Sequence, residues 1–245
     1  MTRAQEIAAG LSSVRERIAA AAHAAGRAPE SVRLVAVSKK MPTTDIAAAL
    51  DAGQIDFGEN YAQELRDKRT AFAAAPTAIQ APAPVWHFIG PLQTNKVKYV
   101  AGQVVLIHAV DSVAVLDEIE RRRHDDACLI QVNLAGETQK RGVAAVALPA
   151  LLDHFAALSH VRCAGLMLIP PFSSAPEDNR PLFAALRALR DQQAAVRRPR
   201  VDLRELSMGM SHDFAIAIAE GATIVRVGTA IFGERPAAPP ITSAA

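Results

Sequence analysis

Eight short apolar runs recur along the chain, and segments with a helical pattern separate most of them. Strands that alternate with helices form parallel sheets through right-handed crossovers. The runs are apolar almost throughout, which is typical of parallel strands covered on both faces. We therefore predict eight parallel strands: RLVAV (33–37), QIDFG (54–58), VWHFIG (85–90), VVLIHAV (104–110), ACLIQVN (127–133), VRCAGLMLI (161–169), LRELSMG (203–209) and TIVRVG (223–228).

Eight is the number of parallel strands that closes a barrel. The competing architecture is an open doubly wound sheet, which usually carries a GxGxxG turn after its first strand, and this sequence has no such turn. We therefore predict a single-domain α/β fold, a (β/α)8 barrel of the TIM type, over residues 31–235. We expect residues 1–30 to form an extra amphipathic helix packed on the barrel. An Ala/Pro-rich loop is expected at 73–84 and a disordered Pro-rich tail at 236–245.

Charge and composition exclude several classes of partner. The net charge is only +2, and the basic clusters at 121–123 and 197–200 have no interleaved aromatic residues, so we expect no nucleic-acid partner. No signal peptide and no apolar stretch of about 18 residues is present, so no membrane partner is expected. Cys128 and Cys163 lie inside apolar runs and are predicted to be buried, reduced thiols, which favours a cytoplasmic protein.

Residues with chemical functions collect at the ends of the predicted strands, which is where barrels carry their active sites. They are Lys39, Gly58-Glu59-Asn60, His87, Asp111, Asn133, Met167, Ser207-Met208-Gly209-Met210-Ser211, Arg226, Gly228 and Thr229. No histidine pair has metal-ligand spacing, no cysteine pair accompanies one, and no GxSxG motif is present. His87 is expected to be a core imidazole bonded to a neighbour.

The last two strand ends combine glycine with hydroxyl groups, in SMGMS (207–211) and VRVGTAIFG (225–233). Barrels often bind phosphate in the loops after strands 7 and 8, and a helix N-terminus favours an anion. Two tight glycine turns are the alternative. Arg226 lies inside an apolar strand, where a guanidinium is costly without a partner. Either a structural ion pair or a ligand in the barrel mouth would supply one.

A phosphate site opposite a strand-end lysine fits barrels that use sugar phosphates, a Schiff-base lysine or pyridoxal 5'-phosphate (PLP). Seven segments, in order, resemble the YggS/PROSC family of PLP-binding proteins: LVAVSKKMP, FGENYAQE, WHFIGPLQTNK, the Asn133-x3-Glu137-x2-Lys140-x-Gly142 pattern, GLMLIPP, LSMGMSHDF and TIVRVGTAIFG. The resemblance extends from about residue 33 to residue 235. It implies a fold similar to the N-terminal barrel of alanine racemase and PLP as the cofactor.

The resemblance also assigns the binding residues. Lys39 would hold PLP as an imine, Arg226 would face the pyridine nitrogen, and Asn60 and Met167 would lie near the ring. Around the phosphate it places Ser207, Met210, Ser211, Gly228 and Thr229. The chain departs from the commonest family pattern at Lys40 and His212. Only a neutral amine attacks an aldehyde, and the charges of Lys40 and Arg226 would favour that form of Lys39.

The expected function is non-catalytic. Arginine does not readily give a proton to the pyridine nitrogen, so the ring would be a poor electron sink. Racemases of this fold draw a tyrosine base from a second domain, and we expect no such domain here because the predicted barrel takes up the sequence. We expect a monomeric protein of PLP and amino-acid homeostasis that passes PLP transiently to apo-enzymes. A weak amino-acid racemase and a sugar-phosphate aldolase or isomerase are the alternatives.

Overall fold

The computed structural model describes residues 1–74, 83–135 and 141–234. Within them, eight parallel strands close into a barrel through the pairings β4–β3–β2–β1–β9–β8–β7–β5–β4. The strands are β1 Arg33–Val37, β2 Asp56–Glu59, β3 Val85–Phe88, β4 Leu106–Val110, β5 Ala127–Asn133, β6 Val143–Ala144, β7 Arg162–Met167, β8 Val201–Ser207 and β9 Ile224–Val227. The predicted (β/α)8 fold is thus confirmed. The two-residue strand β6 pairs with the end of β5 outside the barrel and is absent from the prediction.

Helices cover the outside of the barrel. They are α1 Arg3–Ala24, α2 Thr43–Asp51, α3 Ala62–Ala74, α4 Val113–Glu120, α5 Leu148–Ala156, α6 Arg180–Ala194, α7 Phe214–Ala219 and α8 Thr229–Phe232, with short 3-10 helices at Pro29–Ser31, Thr94–Tyr99, Ala145–Ala147 and Pro176–Asn179. α3 has a highly charged sequence, and its buried side chains are Ala62, Leu65 and Lys68. None of the helices in the described residues is long and apolar enough to cross a membrane.

α1 precedes the barrel and packs on its outer layer. Thr2 and Gln5 form a capping box that satisfies exposed N–H groups at its start. The buried stripe Ile7, Leu11, Val14 and Ile18 has helical spacing, and the helix contacts α2, α7 and α8. These contacts join the first helix to the last elements of the barrel.

The predicted limits of β8, 203–209, are wrong by two residues at each end, since the strand runs from Val201 to Ser207. Gly209 has a φ of 92°, a left-handed conformation that ends the extended strand and that glycine adopts readily. A Cβ atom at this position would lie 2.7 Å from Cβ of Ala217. The glycine therefore turns the chain and permits the close approach of α7.

The barrel encloses a second apolar cluster, separate from the larger one between the sheet and the helices. Its members are Val35, Leu106, Ala109, Ala127, Leu129, Ala164, Met167 and Ile224. Cys128 and Cys163 are buried free thiols opposite each other on β5 and β7. Most of the predicted 73–84 loop and all of the predicted 236–245 tail lie outside the described residues.

Candidate functional site

A cavity of about 280 Å³ opens at the C-terminal ends of the barrel strands. Its walls are formed by Val37, Lys39, Asn60, Ile89, Ile169, Phe172, Met210, Ser211, His212, Arg226, Gly228 and Thr229. Seven of the nine residues predicted to bind a cofactor therefore lie together: Lys39, Asn60, Met210, Ser211, Arg226, Gly228 and Thr229. Larger depressions of about 960 and 790 Å³ lie between charged side chains of the outer helices and contain none of these residues.

The turn after β1 separates the two adjacent lysines. The strand ends at Val37, and Lys39 lines the cavity. Lys40 is exposed and has a left-handed φ of 62°, and its N–H donates to Oε1 of Glu64 at 2.6 Å. The turn thus brings the amine of Lys39, rather than that of Lys40, to the cavity.

A buried ionic cluster lies behind this turn. The Lys68 ammonium group donates to the Ser38 carbonyl oxygen and to carboxylate oxygens of Glu59 and Glu64, each at 2.7 Å. The Ser38 hydroxyl donates to the same Glu59 oxygen at 2.6 Å. Lys68 and Glu59 are almost completely buried, and this burial raises the pKa of Glu59, while the charge of Lys68 opposes the rise. The cluster fixes both ends of the turn that carries Lys39.

The loops after β8 and β9 meet at the polar wall of the cavity. Oγ of Ser211 accepts from the N–H groups of Gly228 and Ala230, at 3.3 and 3.4 Å. The buried carboxylate of Asp213 holds the first loop, because it accepts from the Met210 N–H at 2.6 Å and from the Asn179 amide at 2.8 Å. This wall presents hydroxyl and N–H groups, the donors that phosphate recognition uses.

Arg226 lies on the cavity wall and is 4% exposed. Nη1 donates to Oγ of Ser207 at 2.7 Å, and Nη2 donates to the Leu168 carbonyl oxygen at 2.9 Å. Both acceptors are neutral, and no carboxylate of the described residues lies within ion-pair distance of the guanidinium, while the charge of the more distant Asp213 favours its protonated form. Burial lowers the pKa of Arg226 to about 10, so the group still carries its charge at neutral pH.

Apolar side chains form the remaining walls. Val37, Ile89 and Ile169 face the cavity, and Phe172, which is 85% exposed, lies at its mouth with its ring 5.6 Å from that of His212. Oδ1 of Asn60 is buried without a hydrogen-bond partner among the described residues. The backbone of Asn60 touches the next loop so closely that a Cβ on Gly90 would lie 2.2 Å from its carbonyl oxygen.

Two predicted residues lie outside the cavity wall. Met167 belongs to the apolar cluster inside the barrel, and Ser207 is buried beneath Arg226 as one of its acceptors. His87 is bonded to His108 and Asp56, in line with its predicted core role. Glu137 and Lys140 lie outside the described residues, and within these residues no group of three metal-ligating side chains occurs.

The sequence interpretation missed Lys68, Glu64 and Asp213, which hold the loops of the site. Glu64 and Lys68 have the spacing of an ion pair on a helix, which usually indicates a solvated surface. His212 appears in the sequence interpretation only as a departure from a family pattern. The structure places its ring on the cavity wall, with Nε2 lacking a hydrogen-bond partner in the described part of the chain.

Comparisons with known proteins agree with this geometry. The model of the family described as "Alanine racemase, N-terminal domain" matches residues 10–236. The "Pyridoxal phosphate homeostasis protein" of Aquifex aeolicus is 45% identical over 229 residues, which cover 92% of this chain and 96% of the relative. The protein of the same name from Escherichia coli K12 is 40% identical over 243 residues, which cover 94% of this chain and 97% of that protein.

One solved structure brings a ligand into the comparison. PipY of Synechococcus elongatus, solved with PLP bound, is 35% identical to this chain and superposes with a TM-score of 0.79. The match covers 93% of this chain and 100% of PipY.

Proposed function

The chain belongs to the alanine racemase N-terminal domain family and to the pyridoxal phosphate homeostasis proteins, and from this premise we propose that it holds PLP covalently on Lys39 without catalysing a reaction. Its function is PLP homeostasis. The observation that carries the proposal is the single cavity that joins the Lys39 amine, the polar wall around Ser211 and the buried Arg226 cation.

The residues of the cavity fit the parts of PLP. Ser211, Thr229 and the N–H groups near Gly228 suit its phosphate, and the apolar walls suit a flat pyridine ring. Arg226 offers N–H donors to the ring nitrogen. The buried Asn60 amide, whose Oδ1 lacks a partner within the described residues, is available to polar ring substituents. Each chemical part of the cofactor therefore has a matching wall.

Bound PLP supplies an aldehyde that a lysine amine can attack and a ring that can accept electrons. The residues of this chain support attachment through the aldehyde more than electron withdrawal by the ring. Lys39 provides the amine, and Arg226 stays charged at neutral pH and gives no proton to the ring nitrogen. A ring without that proton withdraws electrons weakly, so the site retains the cofactor better than it activates substrates.

Acid–base groups for racemisation are sparse. Racemisation requires proton transfer on both faces of the substrate carbon. Lys39 and His212 are, apart from Arg226, the ionisable side chains that line the cavity in the described residues. Tyr61 is half-exposed in a neighbouring surface depression, and Tyr99 packs against the outer apolar cluster. A non-catalytic carrier accounts for this arrangement better than a racemase does, and the buried free thiols suit a reducing cytoplasm.

The covalent link is tested with the two adjacent lysines as a matched pair. Lys39→Ala should abolish the borohydride-trapped PLP adduct and the yellow absorbance, whereas Lys40→Ala should retain both. A pyridoxyl group found on Lys40, or an adduct that persists in Lys39→Ala, would overturn the assignment. Incubation of the purified protein with L-alanine tests the second part, because measurable racemisation would contradict a non-catalytic function.

A further inference from the structure

A continuous hydrogen-bonded chain crosses the interior of the barrel and ends at Arg226. From its far end, Oδ1 of Asp56 lies 2.9 Å from Nε2 of His87, and Nδ1 of His87 lies 3.0 Å from Nε2 of His108. Nδ1 of His108 lies 2.9 Å from Oγ of Ser207, which accepts from Nη1 of Arg226 at 2.7 Å. The five residues come from β2, β3, β4, β8 and β9, so their contacts depend on closure of the barrel.

The hydrogen-bonded chain connects the two ends of the barrel. Asp56 is the first residue of β2 and its side chain is 18% exposed, whereas Arg226 lines the cavity at the C-terminal strand ends. His87, His108 and Ser207 between them are completely buried. Three buried polar side chains in a barrel interior need partners, and here each member is the partner of the next.

The two ends of the hydrogen-bonded chain, the Asp56 carboxylate and the Arg226 guanidinium, determine which atom donates and which accepts at each link. A carboxylate only accepts, so His87 carries its hydrogen on Nε2 and, when neutral, accepts at Nδ1. His108 then donates from Nε2 and accepts at Nδ1, where the Ser207 hydroxyl is the donor. Since Arg226 only donates, Ser207 accepts from it. Every donor thus points from Arg226 toward Asp56.

The opposite arrangement, in which the hydrogen bonds are donated from His87 toward Ser207, is disfavoured. An imidazolium at His87 would donate to His108, whose remaining N–H would then point at Ser207. The Ser207 oxygen would receive hydrogens from both His108 and Arg226, and its own hydrogen would have no acceptor among its contacts in the described residues. Burial lowers the pKa of His108 well below its usual value, and the charges of Arg226 and Arg33 lower it further, so His108 stays neutral in either arrangement.

We propose that Asp56, His87 and His108 are positioning residues that hold Arg226, through Ser207, in the orientation that binds the cofactor. The inference rests on the proposed PLP-binding function and extends it to residues outside the cavity. Ser207 and the Leu168 carbonyl fix the two Nη atoms, which sets the plane of the guanidinium. The remaining N–H groups can then meet an aromatic nitrogen acceptor in the cavity.

The direction of the chain is tested on the PLP-free protein. In ¹⁵N-histidine NMR spectra at neutral pH, both buried imidazoles should be neutral with the hydrogen on Nε2. Asp56→Leu removes the terminal acceptor and should disturb this pattern at His87. A hydrogen on Nδ1 of His108, or a charged His87, would overturn the proposal, and the result does not depend on whether the protein binds PLP.

The positioning function is tested with two variants at one site. His108→Leu removes the link and should weaken PLP binding about tenfold, the effect of one lost hydrogen bond, and shift the absorbance maximum of the bound cofactor. His108→Gln can donate and accept and should restore both. Ile107→Val, on the same strand but in the outer apolar cluster, should match the parent in PLP affinity and in the absorbance maximum.

The outcomes separate this proposal from the function on which it rests. Parent-like affinity and absorbance in His108→Leu would overturn the positioning proposal while leaving PLP binding intact. A lower melting temperature with unchanged absorbance would show that the chain is only structural and would likewise overturn it. A parent protein that fails to bind PLP would contradict the proposed function instead, and the NMR experiment would still decide the direction of the chain.

Discussion

Removal of the Lys68 charge should destabilise the protein because it would leave Glu59 buried and unpaired. Lys68→Met keeps an unbranched side chain that is one atom shorter and deletes three hydrogen bonds that the ammonium makes to Ser38, Glu59 and Glu64. Loss of one partner of a buried ion pair costs about 3–5 kcal/mol. For a chain of this size, that corresponds to a fall in melting temperature of roughly 6–20 °C.

The pH dependence of this loss has a definite sign. Burial already raises the pKa of Glu59 in the folded protein, and removal of Lys68 should raise it further. A carboxyl group whose pKa is higher in the folded state than in the unfolded state stabilises the fold at low pH, and this contribution disappears as the pH rises through the folded pKa. The deficit of Lys68→Met relative to the parent should therefore shrink as the pH is lowered from 7 toward the unfolded pKa of glutamate.

The measurement is urea denaturation of the parent and the variant between pH 5 and pH 8, together with a double-mutant cycle. Glu59→Gln removes the orphaned charge, so the double variant should lose less stability than the sum of the single variants. Lys98→Met makes the same substitution at an exposed lysine over the Tyr99 ring and should cost less than about 1 kcal/mol. A loss in Lys68→Met no larger than in Lys98→Met, or a deficit that does not change with pH, would refute the reasoning.

Three further predictions concern the loops and the core. Replacement of both Ser211 and Thr229 by Ala should weaken PLP retention on dialysis while circular dichroism stays unchanged, and full retention would exclude the phosphate assignment. Gly209→Ala should lower the melting temperature because its φ of 92° and a 2.7 Å contact with Ala217 both oppose a Cβ. Gly26→Ala, at a φ of 68° but with no atom within 4 Å of the added Cβ, should cost less and is the control for the contact. Burial raises the pKa of Cys163 to about 12 and that of Cys128 well above its usual value, so both thiols should react with a disulfide reagent at pH 8 only after unfolding; rapid reaction of the native protein would contradict their burial.

The fold was predictable because its main signal is local. Each barrel strand is a short apolar run, and each run can be recognised without knowledge of its neighbours. The grouping of Lys39, Ser211 and Arg226 was also predictable from the sequence, because parallel strands bring their C-terminal ends to one side of the barrel. The strand pattern could not show how deeply each side chain is buried. Met167 and Ser207 lie at the ends of strands, yet their side chains are buried below the cavity wall.

The supporting residues were hidden for a different physical reason. Lys68 and Glu64 have the spacing of a surface ion pair, and only the packing of α3 against the turn after β1 makes Lys68 a buried group. Asp56, His87 and His108 have no recognisable spacing, since their contacts span 31 and 21 residues and the next link, to Ser207, spans 99. Such contacts exist only after barrel closure, so no local pattern in the sequence encodes them.

The charges around the cavity bear on the proposed positioning of Arg226 by these hidden residues. Lys39 and Arg226 line one cavity, so the orientation of the Arg226 guanidinium determines how its charge acts on the Lys39 amine. The neutral acceptors Ser207 and Leu168 hold the guanidinium without cancelling its charge, whereas a carboxylate partner would have neutralised it. The site thus keeps its positive potential for an anionic, nitrogen-containing ligand. The hydrogen bonds that hold the guanidinium are made in the barrel interior rather than in the cavity itself.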